Sequence, residues 1–156
     1  MRKKTLSIAL LITVLCFTTS CSKQQNEVEI YSFKGESDAV MINNGLITTT
    51  DDLEKFIGGD LTFKVEQPSN IKNYVTKFFF YREGVATTVL SISGNVEGTT
   101  KGLRISQDMG SISSKDLFYD NDLEKVKKSL NFLVSWTLIN GEKFEYSVVL
   151  DVEKVY

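Results

Sequence analysis

Residues 130–152 read LNFLVSWTLINGEKFEYSVVLDV, and this stretch decides the fold. Apolar side chains occupy alternate positions on both sides of a central polar segment, and all of them fall on even numbers: Leu130, Phe132, Val134, Trp136 and Leu138, then Phe144, Tyr146, Val148, Leu150 and Val152. A period of two is that of a β-strand with one buried face. The pattern predicts two antiparallel strands that are joined near Asn140 and Gly141 and share one buried face.

The loop between these strands must pair even positions with even positions, because directly opposite residues lie on the same face. A two-residue turn at 140–141 would place Trp136 opposite Glu145 and bring charge to the core. A three-residue loop of residues 139–141 instead pairs Trp136 with Phe144 and Val134 with Tyr146. It also places Gly141 at the left-handed position of a type I turn with a G1 bulge, so we predict this loop.

The rest of the chain carries the same period in shorter runs, which predict strands at 27–33, 40–48, 60–66, 74–81, 85–92, 103–106, 109–113 and 117–119. Residues 50–57, in which Leu53 and Phe56 stand three positions apart, predict one short helical turn that Gly58 and Gly59 end. Residues 122–129 are compatible with a helical turn or a polar loop. About eight or nine short strands with one proline predict an all-β fold. We expect an antiparallel β-sandwich of immunoglobulin-like type, with a closed β-barrel as the alternative.

The run 74–81 is apolar on both faces, with Phe78 and Phe80 on one side and Val75, Phe79 and Tyr81 on the other. Such a strand is either central in its sheet or contacts a partner with its second face. The following run, 85–92, is close enough to be its hairpin mate.

The N-terminus carries an export pattern that ends at Cys21. A basic stub at 2–4 precedes an apolar run at 6–17 and the small residues 18–20. This run is too short to cross about 30 Å of hydrocarbon. It resembles a bacterial lipoprotein signal, which is cut before a cysteine that carries the lipid, although Thr18 stands where the usual motif has leucine. A freely secreted product is the alternative. We predict a signal peptide at 1–20, a lipidated polar tether at 21–26 and a β-sandwich domain at 27–156.

Charge and cysteine content fit this arrangement. Cys16 would leave with the signal peptide, so Cys21 would be the sole cysteine and no internal disulfide would form. Loss of Arg2, Lys3 and Lys4 lowers the formal charge from −2 to −5. This charge argues against nucleic acid and against adsorption on anionic lipid. Acyl chains on Cys21 would hold the protein at the extracytoplasmic face of the cell membrane.

Catalytic and metal-binding motifs give mostly negative results. The chain has no histidine, which removes Ser-His-Asp and Cys-His chemistry and histidine-based metal sites. Asp120, Asp122 and Glu124 alternate as calcium ligands do, but Lys125 stands where a calcium loop needs glycine. We therefore expect no catalytic residue, no cofactor and no metal site.

Three further runs carry a family resemblance: YSFKGES at 31–37, INNGL at 42–46 and FIGGDL at 56–61. They are similar to segments of small uncharacterised lipoproteins of Bacillus and related Firmicutes. In that family an aromatic residue follows the first segment, and residues 38–40 here contain none. The resemblance implies a location and a fold rather than an activity. Lys34, Gly35 and Glu36 are a candidate recognition loop, in which Gly35 would supply an unusual backbone angle at the end of a strand.

Two classes of function follow from these observations. The first is a non-catalytic binding or interaction module that contacts an envelope protein, a wall component or a small ligand, and it predicts an exposed apolar patch or sheet edge. The second is a carboxylate-based ion-binding protein or hydrolase. It predicts a pocket where two or more acids converge with raised pKa values.

Overall fold

The structure, a computed structural model, describes residues 28–64, 70–95, 104–105, 109–119 and 122–156. Two antiparallel sheets pack face to face. The larger sheet contains seven strands: β1 (Glu29–Glu36), β2 (Val40–Thr49), β3 (Glu54–Ile57), β4 (Asp60–Phe63), β7 (Arg104–Ile105), β8 (Ser111–Ser114) and β11 (Asp151–Lys154). The smaller sheet contains four strands: β5 (Ile71–Arg82), β6 (Val85–Asn95), β9 (Asn131–Leu138) and β10 (Lys143–Val149). A helix, α1 (Asp122–Ser129), leads from β8 towards β9.

The strand order defines a two-layer sandwich. The larger sheet follows the order β11-β1-β2-β3-β8, and β4 pairs with β2 beyond the end of β3 and with β7 on its other side. The smaller sheet follows the order β10-β9-β5-β6. The predicted all-β sandwich of immunoglobulin-like type is confirmed at the level of architecture, and the two sheets do not close into a barrel within the described ranges. The described residues form eleven strands, where eight or nine were predicted.

The C-terminal hairpin has the predicted three-residue loop. Phe144 lies opposite Trp136, and Tyr146 lies opposite Val134. The Leu138 N–H donates to the Glu142 carbonyl at 2.8 Å, and the Gly141 N–H donates to the Leu138 carbonyl at 3.0 Å. Gly141 has φ +90°, as the left-handed position of this loop requires.

The β5–β6 hairpin is also confirmed. Arg82 lies opposite Val85, and Glu83 and Gly84 between them have φ of 51° and 80°. Positive φ at both central residues is the signature of a type I′ turn. β5 is central, with β9 and β6 as its neighbours, which agrees with the first of the two explanations for its doubly apolar pattern.

The predicted helical turn at 50–57 is wrong, because residues 54–57 form β3. A tight turn precedes it, in which the Leu53 N–H donates to Thr50 Oγ1 at 3.0 Å. Leu53 is 48% exposed whereas Phe56 is fully buried, so the two side chains share no face. Pairing of β3 with β2 satisfies the backbone hydrogen bonds of this segment. This pairing outweighs the helical preference that the spacing of Leu53 and Phe56 suggests.

The second departure lies at Leu150, where the chain changes sheets. The sequence pattern predicts one strand from Phe144 to Val152, but β10 ends at Val149 and the following residues pair with β1 in the larger sheet. The Leu150 N–H still donates to the Leu130 carbonyl at 2.9 Å. Leu150 is therefore the point at which the last strand crosses from one layer to the other.

A β-bulge interrupts the pairing of β1 with β2. Phe33 lies opposite Gly45, but Gly35 lies opposite Ile42, so β2 has one extra residue between these pairs. Asn44, inside the bulge, has φ 58°. The core face of β2 consequently changes from even positions at Ile42 to odd positions beyond the bulge.

Some predictions fall outside the described residues: the signal peptide at 1–20, the tether at 21–26, residue 27, Val65 and Glu66, and the ends of the strand predicted at 103–106. The segment 122–129 is helical. Within the described ranges, no helix has the length and apolarity needed to cross a membrane.

Gly45 tests the packing of the core at the bulge. A Cβ built on Gly45 would overlap the ring of Phe33, which is buried and has little freedom to move. We expect Gly45→Ala to lower the free energy of unfolding by about 2 kcal/mol or more, measured by urea denaturation. In the double variant with Phe33→Leu, the loss of unfolding free energy should be smaller than the sum of the losses in the two single variants, because the smaller side chain relieves the overlap. Full additivity would contradict this account.

Candidate functional site: a polar groove over the larger sheet

The bulge in β2 produces a depression on the outer face of the larger sheet, which we call the Lys34 groove. Its cavity volume is about 320 Å³. The polar side chains that line it belong to Ser32, Lys34, Asn43, Asn44, Asp151 and Glu153. A neighbouring depression of about 250 Å³ shares Lys34, Asn43 and Asp151 and extends to Glu36 and Met41.

Three neighbouring strands position these side chains. Lys34 on β1 lies directly opposite Asp151 on β11, and it faces the bulge of β2 on the other side. The bulge is held in place by a hydrogen bond from Asn44 Nδ2 to Asp60 Oδ2 at 2.6 Å. Gly59, with φ +76°, allows β4 to pass close to this bulge, because a Cβ there would overlap the Asn43 carbonyl. The groove is therefore built on paired strands rather than on a loop.

The groove presents charges that the fold does not use. Lys34 and Asp151 are exposed, as is Glu153 on the same face of β11. Among the described residues, none of these three side chains forms an ion pair within 4.0 Å. A cation, two carboxylates and the side-chain amide of Asn43 are thus open to hydrogen bonding with a polar molecule.

The candidate recognition residues lie in this region, but not as a loop. Lys34, Gly35 and Glu36 belong to β1. Gly35 is not among the residues with positive φ. It is required by close packing, because a Cβ would lie 2.7 Å from Leu150 Cδ2. Glu36 forms an ion pair with Lys64 at 3.5 Å.

The sequence interpretation missed Asn43, Asn44, Asp151 and Glu153. A signal for the first two was present, since Asn-Asn-Gly at 43–45 is turn-like in the middle of a strand. The two acids stand at odd positions beyond the C-terminal hairpin, which is the pattern of an outward face. Neither signal indicates that these residues meet Lys34, because strand pairing alone brings them together.

A second charged cluster surrounds Asp122 at the start of α1. Its side chain is nearly inaccessible to solvent, and Arg82 contacts both of its carboxylate oxygens. Lys125 Nζ donates to Oδ1 at 3.1 Å. This cluster joins the helix to the end of β5, and we regard it as structural because its carboxylate is fully occupied.

The pKa of Asp122 follows from two opposing effects. Burial raises the pKa of this carboxyl, but hydrogen bonds from Arg82 and Lys125 outweigh burial and leave the pKa below its usual value. The carboxylate is also favoured by its position in the first turn of a helix.

A third cluster joins β1, β11 and α1 near the two ends of the described chain. Lys154 donates to Glu29 at 2.5 Å, and the Tyr31 hydroxyl donates to the same carboxylate at 2.7 Å. These hydrogen bonds lower the pKa of Glu29, and the one from Lys154 has the larger effect. The pKa of Tyr31 is raised, mainly by burial and to a smaller extent by the hydrogen bond to Glu29. Lys127 Nζ lies 4.9 Å from the centre of the Tyr31 ring. This network fastens the helix to the larger sheet.

In the described part of the chain, no group of three or more His, Cys, Asp or Glu side chains is arranged to hold a metal ion. Asp122 and Glu124 take part in ion pairs with lysines of α1, and Asp120 lies outside the described residues.

Comparisons with known proteins gave no match. No family model, no curated protein and no solved structure is significantly similar to the chain. The lipoprotein resemblance of the sequence segments therefore stays a prediction.

Asp122→Asn should destabilise the protein at neutral pH and reduce the decrease in its unfolding free energy at acidic pH. Because the folded-state pKa is lowered, ionised Asp122 stabilises the fold fully above the unfolded-state pKa of about 4, and this stabilisation is lost as the pH falls through the folded-state pKa. We expect a loss of about 2 kcal/mol at pH 7, since hydrogen bonds to a buried charge are removed.

Urea unfolding measured between pH 7 and pH 2 tests this expectation. The difference between wild type and Asp122→Asn should shrink as the pH falls below about 4. Asp116→Asn, at an exposed position close by, is the matched control and should leave stability nearly unchanged at every pH. A difference that persists undiminished at pH 2 would show that ionisation of Asp122 contributes nothing.

Proposed function

We propose that this protein is a membrane-anchored extracytoplasmic lipoprotein whose β-sandwich acts as a non-catalytic binding module at the cell envelope. Cys21 would carry the lipid, and the Lys34 groove would contact a polar group of a wall component or of another envelope protein. No nucleic acid and no cofactor enter this proposal.

The observation that carries the binding role is the Lys34 groove itself. Some charged side chains of the described chain, such as Asp122 and Glu29, are committed to ion pairs that hold strands or the helix together. Lys34, Asp151 and Glu153 instead converge on one open depression without pairing. Exposed polar groups on paired strands are suited to recognition, because the backbone that carries them is already ordered and loses little conformational freedom on binding.

The anchor rests on the N-terminal sequence, and simple geometry is compatible with it. The seven residue-to-residue steps from Cys21 to Val28 extend over at most about 25 Å. Lys34 lies six residues further along the chain, about 20 Å along a strand. The groove would thus stay within about 45 Å of the lipid, where membrane proteins and the adjacent wall are both accessible.

Cys21→Ser should abolish lipid attachment. We expect loss of incorporated labelled palmitate, together with either release of the protein from the membrane fraction or retention of an uncleaved precursor. Cys16→Ser is the matched control and should retain both label and membrane location, because Cys16 lies inside the apolar run. A Cys21→Ser protein that remains membrane-bound with its signal removed would overturn the anchor.

Lys34→Glu should impair binding without unfolding the sandwich, because Lys34 is exposed and unpaired. Chemical cross-linking in native membranes, followed by affinity purification and mass spectrometry, would compare wild type with Lys34→Glu. Lys72→Glu makes the same charge change at an exposed position of β5 and serves as the control. We expect cross-linked species that are lost from Lys34→Glu and kept in Lys72→Glu; equal patterns in all three would count against the groove.

A carboxylate-based ion-binding protein or hydrolase is the second candidate, and one observation favours it. Asp151 and Glu153 line the same groove, as such a function requires. Calorimetric titration with Ca²⁺ separates the two candidates. Binding that disappears in Asp151→Asn and survives in Asp116→Asn would favour the ion-binding protein, whereas no heat of binding in the wild type would favour the module.

A further inference from the structure

β6 forms a long edge of the smaller sheet. It extends over eleven residues, Val85–Asn95, and pairs with β5 on one side. Among the described residues no strand pairs with its other side. Alternate backbone N–H and C=O groups of β6 therefore point outward, and an added strand would satisfy them.

The composition of β6 is unusual for an exposed edge. Its sequence, VATTVLSISGN, contains no charged residue and no proline, although these are the residues that commonly protect edge strands. The opposite edge of the same sheet, β10, carries Lys143 and Glu145. The edge strand β11 carries Asp151, Glu153 and Lys154, and β8 has only four residues.

A bulge at Val89 divides β6 into two parts. The register with β5 shifts between Phe78 and Phe79, opposite residues 88–90. Beyond this point the pairing is regular, from Leu90 opposite Phe78 to Asn95 opposite Asn73. The six residues 90–95 thus form a regular edge that is long enough to pair with another strand.

We propose that β6 pairs with β6 of a second copy of this chain, antiparallel within residues 90–95 and about a two-fold axis at residue 92 or 93. An antiparallel pair of identical strands is related by a two-fold axis, so each copy satisfies the other with the same surface. The net charge of the chain is negative, which opposes self-association through its acidic surfaces. The uncharged β6 allows two copies to approach without like charges facing each other, and it joins two four-stranded sheets into one of eight.

This arrangement fixes the relative direction of the two copies. Phe63 pairs with Val40 at the start of β2, close to the end of β1, and it packs on Tyr74 near the start of β5 and on Trp136. The start of β1 therefore lies at the other end of the sandwich, where β5 ends and β6 begins. In an antiparallel β6 pair the N-terminal ends therefore point apart. If both copies are lipidated, the strands of the dimer lie along the membrane rather than upright on it. The pairing itself does not rest on the proposed anchor.

Charge reversal across the proposed interface tests the pairing. Ser91 and Ser93 lie on the outer face of β6, and in a two-fold pair centred on residue 92 or 93 their substituents face each other. The full chain is purified in detergent, and its molar mass is measured by light scattering over a range of concentrations. We expect a dimer for wild type and an increase of about tenfold or more in the dissociation constant for both Ser91→Lys/Ser93→Lys and Ser91→Glu/Ser93→Glu.

Mixing the two variants provides the decisive comparison. A lysine strand opposite a glutamate strand should restore the dimer, although both variants lack the hydrogen bond that Ser91 donates to the Thr76 carbonyl. Glu145→Lys/Ser147→Lys on β10 is the matched control and should dimerise as wild type does. A monomeric wild type, a mixture that stays monomeric, or an equal loss in the β10 control would each overturn the proposal.

Discussion

A layer of four phenylalanine rings joins the two sheets, and the rest of the structure depends on it. Phe33 and Phe56 come from the larger sheet and stack with ring centroids 5.1 Å apart. Phe78, from the smaller sheet, contacts both of them edge to face at 5.7 and 5.2 Å, and Phe132 lies 4.9 Å beyond it. All four are 2% exposed or less. Both cysteines precede residue 28, so no disulfide reinforces the sandwich and apolar contact between the layers has to hold it.

Close packing around this layer sets the shape of the surface. Phe33 occupies the space above Gly45, and the bulge of β2 lies at the two residues directly before this glycine. The same bulge turns Asn43 and Asn44 towards Lys34 on the outside. Close packing in the core and the polar groove on the opposite face of the sheet thus meet at the same segment of β2.

The sequence predicts those parts of the fold that depend on period and parity. The C-terminal hairpin follows from the rule that even positions must face even positions, which leaves one loop length. The crossing at Leu150 is not predictable in this way, because both sheets face the same core and inward positions stay even on either side of the crossing. Residues 50–57 misled the prediction because three-residue spacing between Leu53 and Phe56 has the same appearance in a helix and in a turn followed by a strand. The groove depends on which strands are neighbours, so Lys34 alone among its charged residues was identified from the sequence.

The position of β1 has a consequence for the order of folding. The first strand lies between β2 and the last strand, and Lys154 reaches Glu29 across 125 positions of the chain. The backbone of Ile30 bonds to both Val155 and Tyr156. Contacts of such long range form slowly and require the whole chain to be present. If the chain crosses a membrane as proposed, the larger sheet keeps an unfinished edge until β11 has emerged, and folding of this sheet is postponed until then.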